Sequence, residues 1–290
     1  MKASQRASES AVIPNPTERF TGRVESYRRY RPGYPAEAVE TLRQACGLGA
    51  DAQVADVAAG TGLLTEVLLA AGFAVTAVEP NAEMREACAT LEAQYPRLRV
   101  AAGTAEATGL PDASVDLITV AQAMHWFDLE KTKAEFARVL NHPAEPARRG
   151  PRDVKPGGWC AVLYIHRRLS GDAFHDGYEA LLREFGVDYL AVKGQHMGRK
   201  RLAAFFAPEP MECATFENAQ SFDYAGLEGR ILSSSYMPRL GQARFEEMRA
   251  AARRLFAETR REGKVTMVHD CVVCWGCLPH GQTRLRRQAS

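Results

Sequence analysis

The segment Val54-Ala-Asp-Val-Ala-Ala-Gly-Thr-Gly62 brings an acidic side chain, Asp56, to the mouth of a glycine turn, and Glu79 closes the next apolar run. Glycines there let backbone amides approach a ligand and permit positive φ. A carboxylate at the end of a second strand can accept hydrogen bonds from both hydroxyls of a ribose. Together these residues point to a nucleoside, and two ligand classes compete for it. A nicotinamide or flavin cofactor seats its pyrophosphate on a helix N-terminus through the spacing G-x-G-x-x-G. Gly60 and Gly62 are followed instead by Leu63, Leu64 and Thr65, so the third glycine is missing. Asp56 would also set a negative charge beside a diphosphate, whereas a cofactor carrying a sulfonium and an ammonium tolerates that carboxylate well. The chemistry favours S-adenosylmethionine, which has no phosphate. A glycine turn that holds no ligand is the plain alternative.

Such residues need a scaffold. Residues 54–57 read as a short strand entering the turn, after which Leu64, Val67, Leu68 and Ala71 repeat at helical spacing. Residues 73–78 read as the second strand and 82–93 as a helix behind Asn81, a good N-cap. Further strands are expected over 98–101, 115–121 and 159–165, with a helix over 129–140. Strands alternating with helices predict an α/β fold, a doubly wound and mostly parallel sheet with helices on both faces. Residues 141–154 break the pattern: they hold three prolines and no apolar period, as an exposed insertion does. Beyond Ile165 two amphipathic helices follow, one marked by Phe174, Tyr178, Leu181, Leu182 and Phe185, the other by Phe245, Met248, Ala252, Leu255 and Phe256. Residues 265–275 read as a closing strand. The expected organisation is a disordered leader over 1–18, one domain over 19–280 and a flexible tail over 281–290. Within the domain, 19–166 is the cofactor-binding core, 167–263 the substrate or lid helices and 264–277 the closing strand.

The 290 residues carry a net charge of +2, so no strong field draws the chain to nucleic acid or to an anionic membrane. Arg284, Arg286 and Arg287 in the tail read as a solvated terminus. No apolar run approaches the roughly 20 residues of a membrane span, and the polar start lacks the apolar core of a signal peptide. Seven scattered cysteines fit a reducing cytoplasm better than a disulfide framework. Cys271-Val-Val-Cys-Trp-Gly-Cys277 has metal-like spacing. On a strand, however, Cys271 and Cys277 would face one side and Cys274 the other, so buried thiols and no metal are expected.

Further motifs give the sequence a family likeness. Val78-Glu-Pro-Asn81, Gly103-Thr-Ala-Glu106, Ala121-Gln-Ala-Met-His-Trp-Phe-Asp128 and Lys155-Pro-Gly-Gly158 accompany the glycine turn. With it, residues 20–140 and 155–166 resemble the class I S-adenosylmethionine-dependent methyltransferases, specifically the trans-aconitate methyltransferase-like subgroup of the methyltransferase type 11 family. The resemblance implies a seven-stranded Rossmann-like fold with helical lid elements. It also implies that Glu79, with Pro80, holds the ribose, and that Ala105 meets the adenine edge through its backbone, flanked by Thr104 and Glu106. Gln122 would lie near the methionine portion. Asp56, Ala58, Gly60, Thr61 and Gly62 would serve the sulfonium and amino-acid end, and Tyr27 would cover the cofactor. Two departures stand out. Ala58 occupies a position that is usually glycine, and the proline-rich segment separates Leu140 from Lys155.

Ligands of open parallel sheets bind beyond the carboxyl ends of the strands. That places His125, Trp126 and Phe127 beside the cofactor, with Trp126 and Phe127 as flat apolar walls or simply as packing for adenine and the next helix. Asp128 reads as that helix's N-cap. Tyr27-Arg-Arg-Tyr-Arg-Pro-Gly-Tyr34 holds arginines able to fork onto carboxylates. Its Tyr30, Arg31 and Tyr34 are substrate candidates, against the reading of a solvated surface helix. Ser235 and Tyr236, in a lid-like segment, are further candidates, against a capping role for the serines. His125 is the best-placed general base for a phenol or amine acceptor. The expected reaction is methyl transfer to a small molecule, with carboxylate or hydroxyl oxygen favoured over nitrogen, by a cytoplasmic monomer or homodimer. The rivals are a non-catalytic binder of the same cofactor and a nicotinamide-dependent oxidoreductase.

Overall fold

A computed structural model describes residues 24–141, 158–190 and 197–278, the side chains of 25–27 excepted. The leader, the proline-rich segment from 142 onward and the basic tail lie outside the described residues.

Two helices, α1 (Val24–Tyr30) and α2 (Ala36–Ala45), precede the sheet. Then β1 (Gln53–Val57), α3 (Leu63–Ala70), β2 (Ala74–Val78), α4 (Ala82–Ala89) and β3 (Leu98–Ala101) alternate. They are followed by β4 (Leu117–Ala121), α5 (Leu129–Val139) and β5 (Trp159–Arg167). The second half adds α6 (Ala173–Phe185), α7 (Arg199–Phe206), β6 (Glu212–Phe222), α8 (Tyr224–Leu232), α9 (Phe245–Thr259) and β7 (Val265–Cys277). The sheet has seven strands in the order β3-β2-β1-β4-β5-β7-β6. The five strands from β3 to β5 are parallel, and β7 runs antiparallel to both β5 and β6. This is the Rossmann-like α/β arrangement expected. Asn81 caps α4 by accepting from the Met84 amide, and Asp128 caps α5 by accepting from the Lys131 amide, both as predicted.

Alternation along the strands buries both faces of the sheet. On one, Val54, Val75 and Leu117 pack with Ala38, Val39 and Leu42 of α2 and with Leu64 and Leu68 of α3. On the other, Ala55, Ile118 and Val162 pack with Phe136 of α5 and Phe205 of α7. A third core joins α6, α8 and α9 over Val265 and Met267 of β7. Among the described residues no helix is long and apolar enough to cross a membrane.

Two expectations need correction. The segment 167–263 is not wholly helical, because it contains β6, an 11-residue strand at the sheet edge. Its sequence, Glu212-Cys-Ala-Thr-Phe-Glu-Asn-Ala-Gln-Ser-Phe222, is poor in β-branched residues, and only its last residue is buried. An edge strand that leans on one neighbour needs little apolar alternation. The second correction follows from the first. Cys271 and Cys274 do face opposite cores, as the period of two requires. Yet Cys274 is not a thiol: Cys213 of β6 stands directly opposite it, and the two form a disulfide with an S–S distance of 2.07 Å. Without β6 in view, that partner could not be found.

Candidate functional site

The turn after β1 is wound by residues in the left-handed region. Ala58 has φ +57°, Gly60 +60° and Gly62 +87°. The winding lets the Ala59 amide donate to the Val78 carbonyl at 3.2 Å, and the Gly62 amide donates to the Ala59 carbonyl at 3.0 Å. Glycine at 62 is demanded twice. Its φ is positive, and an added Cβ would stand 2.8 Å from Leu91 Cδ1 and 3.0 Å from Cys88 Sγ.

Glu79 comes off the end of β2 into this turn. Its Oε2 accepts from the Gly60 amide at 2.8 Å, and its Oε1 accepts from the Asn81 amide at 2.9 Å. Burial raises its pKa, opposed by these two amides and by Arg85. Each carboxylate oxygen has a second lone-pair direction left for a ligand donor. Asp56 lies deeper. Thr65 of α3 and Thr119 of β4 donate their hydroxyls to it at 2.6 and 2.9 Å. Burial, against those hydroxyls, lifts its carboxyl to about 6.

Between the ends of β1, β2 and β4 opens a cavity of about 200 Å³. The turn supplies Ala58 and Gly60 to its wall, and the β2 end supplies Glu79, Pro80 and Asn81. Thr104, Ala105 and Glu106 form another side, while Ala121, Gln122 and Ala123 close it from β4 with Trp126 and Phe127. The sheet order reverses between β1 and β4, which is where open α/β sheets bind ligands. Gln122, also left-handed at φ +57°, is held by its amide donating to Leu163 O and its Nε2 donating to Ile165 O, both at 2.9 Å. Glu106 accepts from the Asp128 amide at 2.9 Å, which ties the Thr104–Glu106 wall to the start of α5.

Most of the predicted cofactor residues therefore meet at one cavity. Asp56, Thr61 and Gly62 are not on its wall: they lie beneath or behind the turn, and Thr61 Oγ1 is buried with no hydrogen-bond partner among the described residues. Tyr27 has its side chain outside the described residues. Asn81, Met84, Ala121 and Ala123 line the cavity without having been predicted for it. The signal for Asn81 and Met84 was available, since they directly follow the Glu79 carboxylate at the start of α4.

The substrate candidates divide. Trp126 lines the cavity, and the His125 ring leans on it at 4.7 Å between centroids without itself reaching the wall. Tyr30 packs against α8, where a Cβ on Gly229 would meet its ring. Arg31 donates to the Ser233 carbonyl at 3.1 Å. Tyr34 packs against the first core. Tyr236 lies 5.1 Å from the Tyr189 ring, next to Ser235 in the connection after α8. Tyr30, Arg31 and Tyr236 thus gather around α8 rather than around the cavity.

Residues 55–143 match the model of a methyltransferase domain. The chain is 44% identical over 121 residues to an uncharacterized methyltransferase of Mycobacterium tuberculosis, a match that covers 42% of this chain and 47% of the relative. The chain spans about half the length of the curated relatives it matches. Among solved structures it is similar to a putative type II methyltransferase from Anaeromyxobacter dehalogenans, with a TM-score of 0.58 and 24% identity over 86% of this chain and 98% of the other. It is also similar in fold to phosphoethanolamine N-methyltransferase 2 of Haemonchus contortus, solved with S-adenosyl-L-methionine. That TM-score is 0.51 at 12% identity, over 88% of this chain and 56% of the other.

Proposed function

We propose that this protein transfers a methyl group from S-adenosylmethionine to a small-molecule acceptor, with carboxylate or hydroxyl oxygen favoured and nitrogen the second choice. The observation that carries the reading is Glu79, a buried carboxylate fixed by two backbone amides at the edge of a cavity with no basic side chain on its described wall. That donor set suits a cationic nucleoside and not a diphosphate.

S-adenosylmethionine supplies a methyl on a positively charged sulfur whose departure neutralises that charge. The protein's own task is then alignment and exclusion of water. Glu79 would accept from the ribose hydroxyls, and the backbone of Thr104, Ala105 and Glu106 would meet the adenine. Gln122 and Ala58 would border the amino-acid end, with Asp56 as a buried counter-charge behind them. Trp126 and Phe127 would form a dry wall toward the acceptor. A carboxylate acceptor needs no base. For a phenol or amine we assign that role to His125, which would have to reach past Trp126, since its ring stands behind the cavity wall. Unchanged turnover by His125→Ala, with cofactor affinity retained, would dismiss it.

The test of the whole reading is calorimetric titration with S-adenosylmethionine, S-adenosylhomocysteine and a reduced nicotinamide dinucleotide. Tight binding of the two adenosyl compounds alone is expected. Binding of the dinucleotide, or of none of the three, overturns it.

A further inference from the structure

Arg230 of α8 is 7% exposed and has no carboxylate partner among the described residues. Among the described residues its Nη1 reaches only the Ser233 and Ser234 hydroxyls, at 3.4 and 3.3 Å, and its Nε has no hydrogen-bond partner. Two further buried polar groups lie near it. Among the described residues the Tyr178 hydroxyl on α6 has no partner, and neither ring nitrogen of His269 on β7 makes a close hydrogen bond, although the Asn218 backbone acts on that ring; each of the two residues is 1% exposed. The charged neighbours make matters worse for Arg230. Arg31 and Arg167 both stand near it, and with its burial they lower its pKa. The nearby carboxylate, Glu179, is already engaged by Arg167 at 2.6 Å, Arg183 at 2.9 Å and the Tyr189 hydroxyl at 2.5 Å. His175 is committed too: its Nε2 accepts from the Val268 amide at 3.0 Å, which leaves Nδ1 to donate to Asp172 at 2.8 Å. His269 is neutral, since burial and then Arg230, Arg167 and His175 push it down to about 3 against the Asn218 backbone, so one of its nitrogens donates.

A buried guanidinium without a counter-charge costs several kcal/mol. Native proteins seldom leave such donors unsatisfied. Water could meet the hydrogen bonds but not the charge. We propose that Arg230, with Tyr178 and His269, is an anchor site for a carboxylate of the methyl acceptor. The inference rests on the methyltransferase reading for the acceptor's role, though not for the existence of the site. Its place suits that role. Arg167 and His269 are paired across β5 and β7. Gln122 of the cofactor cavity bonds to Ile165 O, two residues, or about 7 Å of strand, before Arg167. A carboxylate locked against a guanidinium is a poor nucleophile, so the anchored group is the handle and the reacting atom lies elsewhere on the same small molecule. One guanidinium lacking a carboxylate, with two neutral donors beside it, matches a monoanionic planar group better than a phosphate dianion.

The experiment is thermal denaturation of the full chain at constant ionic strength, with succinate and benzoate as carboxylate probes, inorganic phosphate as the competing anion and chloride as the control. Wild-type protein should be stabilised by a carboxylate probe and less by phosphate. Arg230→Met should melt no lower than wild type without a probe, because it removes an uncompensated buried charge, and its apparent dissociation constant for the carboxylate should rise at least ~10-fold. Tyr178→Phe, which keeps the ring, should lose part of the same response. No carboxylate response in wild type, an equal response in Arg230→Met, or a larger and Arg230-dependent response to phosphate would overturn the proposal. S-adenosylhomocysteine titration of the same proteins separates the two readings. Equal affinity in wild type and Arg230→Met is expected. Loss of that binding in wild type would sink the methyltransferase reading while the carboxylate response still judged the anchor.

Discussion

Glu79 and Arg230 are both buried charges, and they are treated in opposite ways. Glu79 receives two backbone amides from residues within its own turns, Gly60 and Asn81. Arg230 receives two long hydroxyl contacts and stands among other cations. The first site is finished before any ligand arrives. The second is completed only by something that brings negative charge. The contrast suggests a division of labour: a rigid, backbone-built cradle for an invariant cofactor, and a side-chain cluster whose cost of burial is offset when the acceptor binds.

Breaking the finished site should have the largest effect. Glu79→Gln keeps the shape but removes the charge and turns an amide donor toward donors. Two charge-assisted hydrogen bonds are worth about 1.5–3 kcal/mol each, so S-adenosylhomocysteine affinity should fall by at least about 100-fold. The carboxylate response at Arg230 should be untouched. Calorimetry of the variant checks the first statement and thermal denaturation the second. A joint loss would mean that the two regions are one unit.

The same contrast explains what the sequence could and could not reveal. The cavity is lined from short stretches, within 58–60, 79–81, 104–106 and 121–127, each just after one strand, so local residue types and spacing are enough to find it. The alternation of strands and helices through β5 was equally legible, because both faces of a parallel sheet demand apolar residues. The edge strand β6 was not, since exposure relieves it of that demand, and the disulfide partner of Cys274 was hidden with it. The Arg230 cluster draws on α6, α8, β5 and β7, and Arg31 joins it across 202 residues of chain. Arg230 and His269 carried no local signal: burial, and the absence of a carboxylate, are facts of packing alone. Arg31, a candidate through the fork that arginine offers a carboxylate, and Tyr236, a candidate through its lid-like segment, both lie near this cluster, though neither segment points to Arg230.

A second difference can be sharpened by pH. The Asp56 carboxyl, ordinarily near 3.8, stands at about 6 because burial outweighs its two hydroxyl partners. Between those values the folded protein holds a proton that the unfolded chain has released, so folding is favoured most below the unfolded value. That contribution is lost as the pH rises through about 6. The span amounts to roughly 2–3 kcal/mol. Asp56→Asn has no such titration. Relative to wild type it should gain about that much stability between pH 4 and pH 7.5, as measured by chemical denaturation. Acidic groups held low, such as Glu135 at about 2 through Arg138, act in both proteins and cancel in the difference. A difference that does not vary with pH would show that Asp56 is ionised throughout. In that case the buried counter-charge behind the cofactor site would be a permanent one.

The smallest effect should come from Ala58, which the cradle holds at φ +57°. A left-handed alanine costs about 1–2 kcal/mol, while glycine gives back roughly 0.5–1 kcal/mol in unfolded-state entropy. Ala58→Gly should therefore gain at most about 1.5 kcal/mol of stability. Its consequence for binding depends on where the methyl points. Ala58 lines the cavity, so removing its Cβ widens the amino-acid end without touching Glu79 or Gln122. S-adenosylhomocysteine affinity should change by no more than about 3-fold, less than 1 kcal/mol, because the polar contacts that orient the ligand are elsewhere. A gain of 10-fold or more would show that the methyl obstructs the cofactor. The cavity would then be poorly fitted to its ligand as it stands, and the contrast with Arg230 would shrink from finished against unfinished to two sites that both wait on a partner.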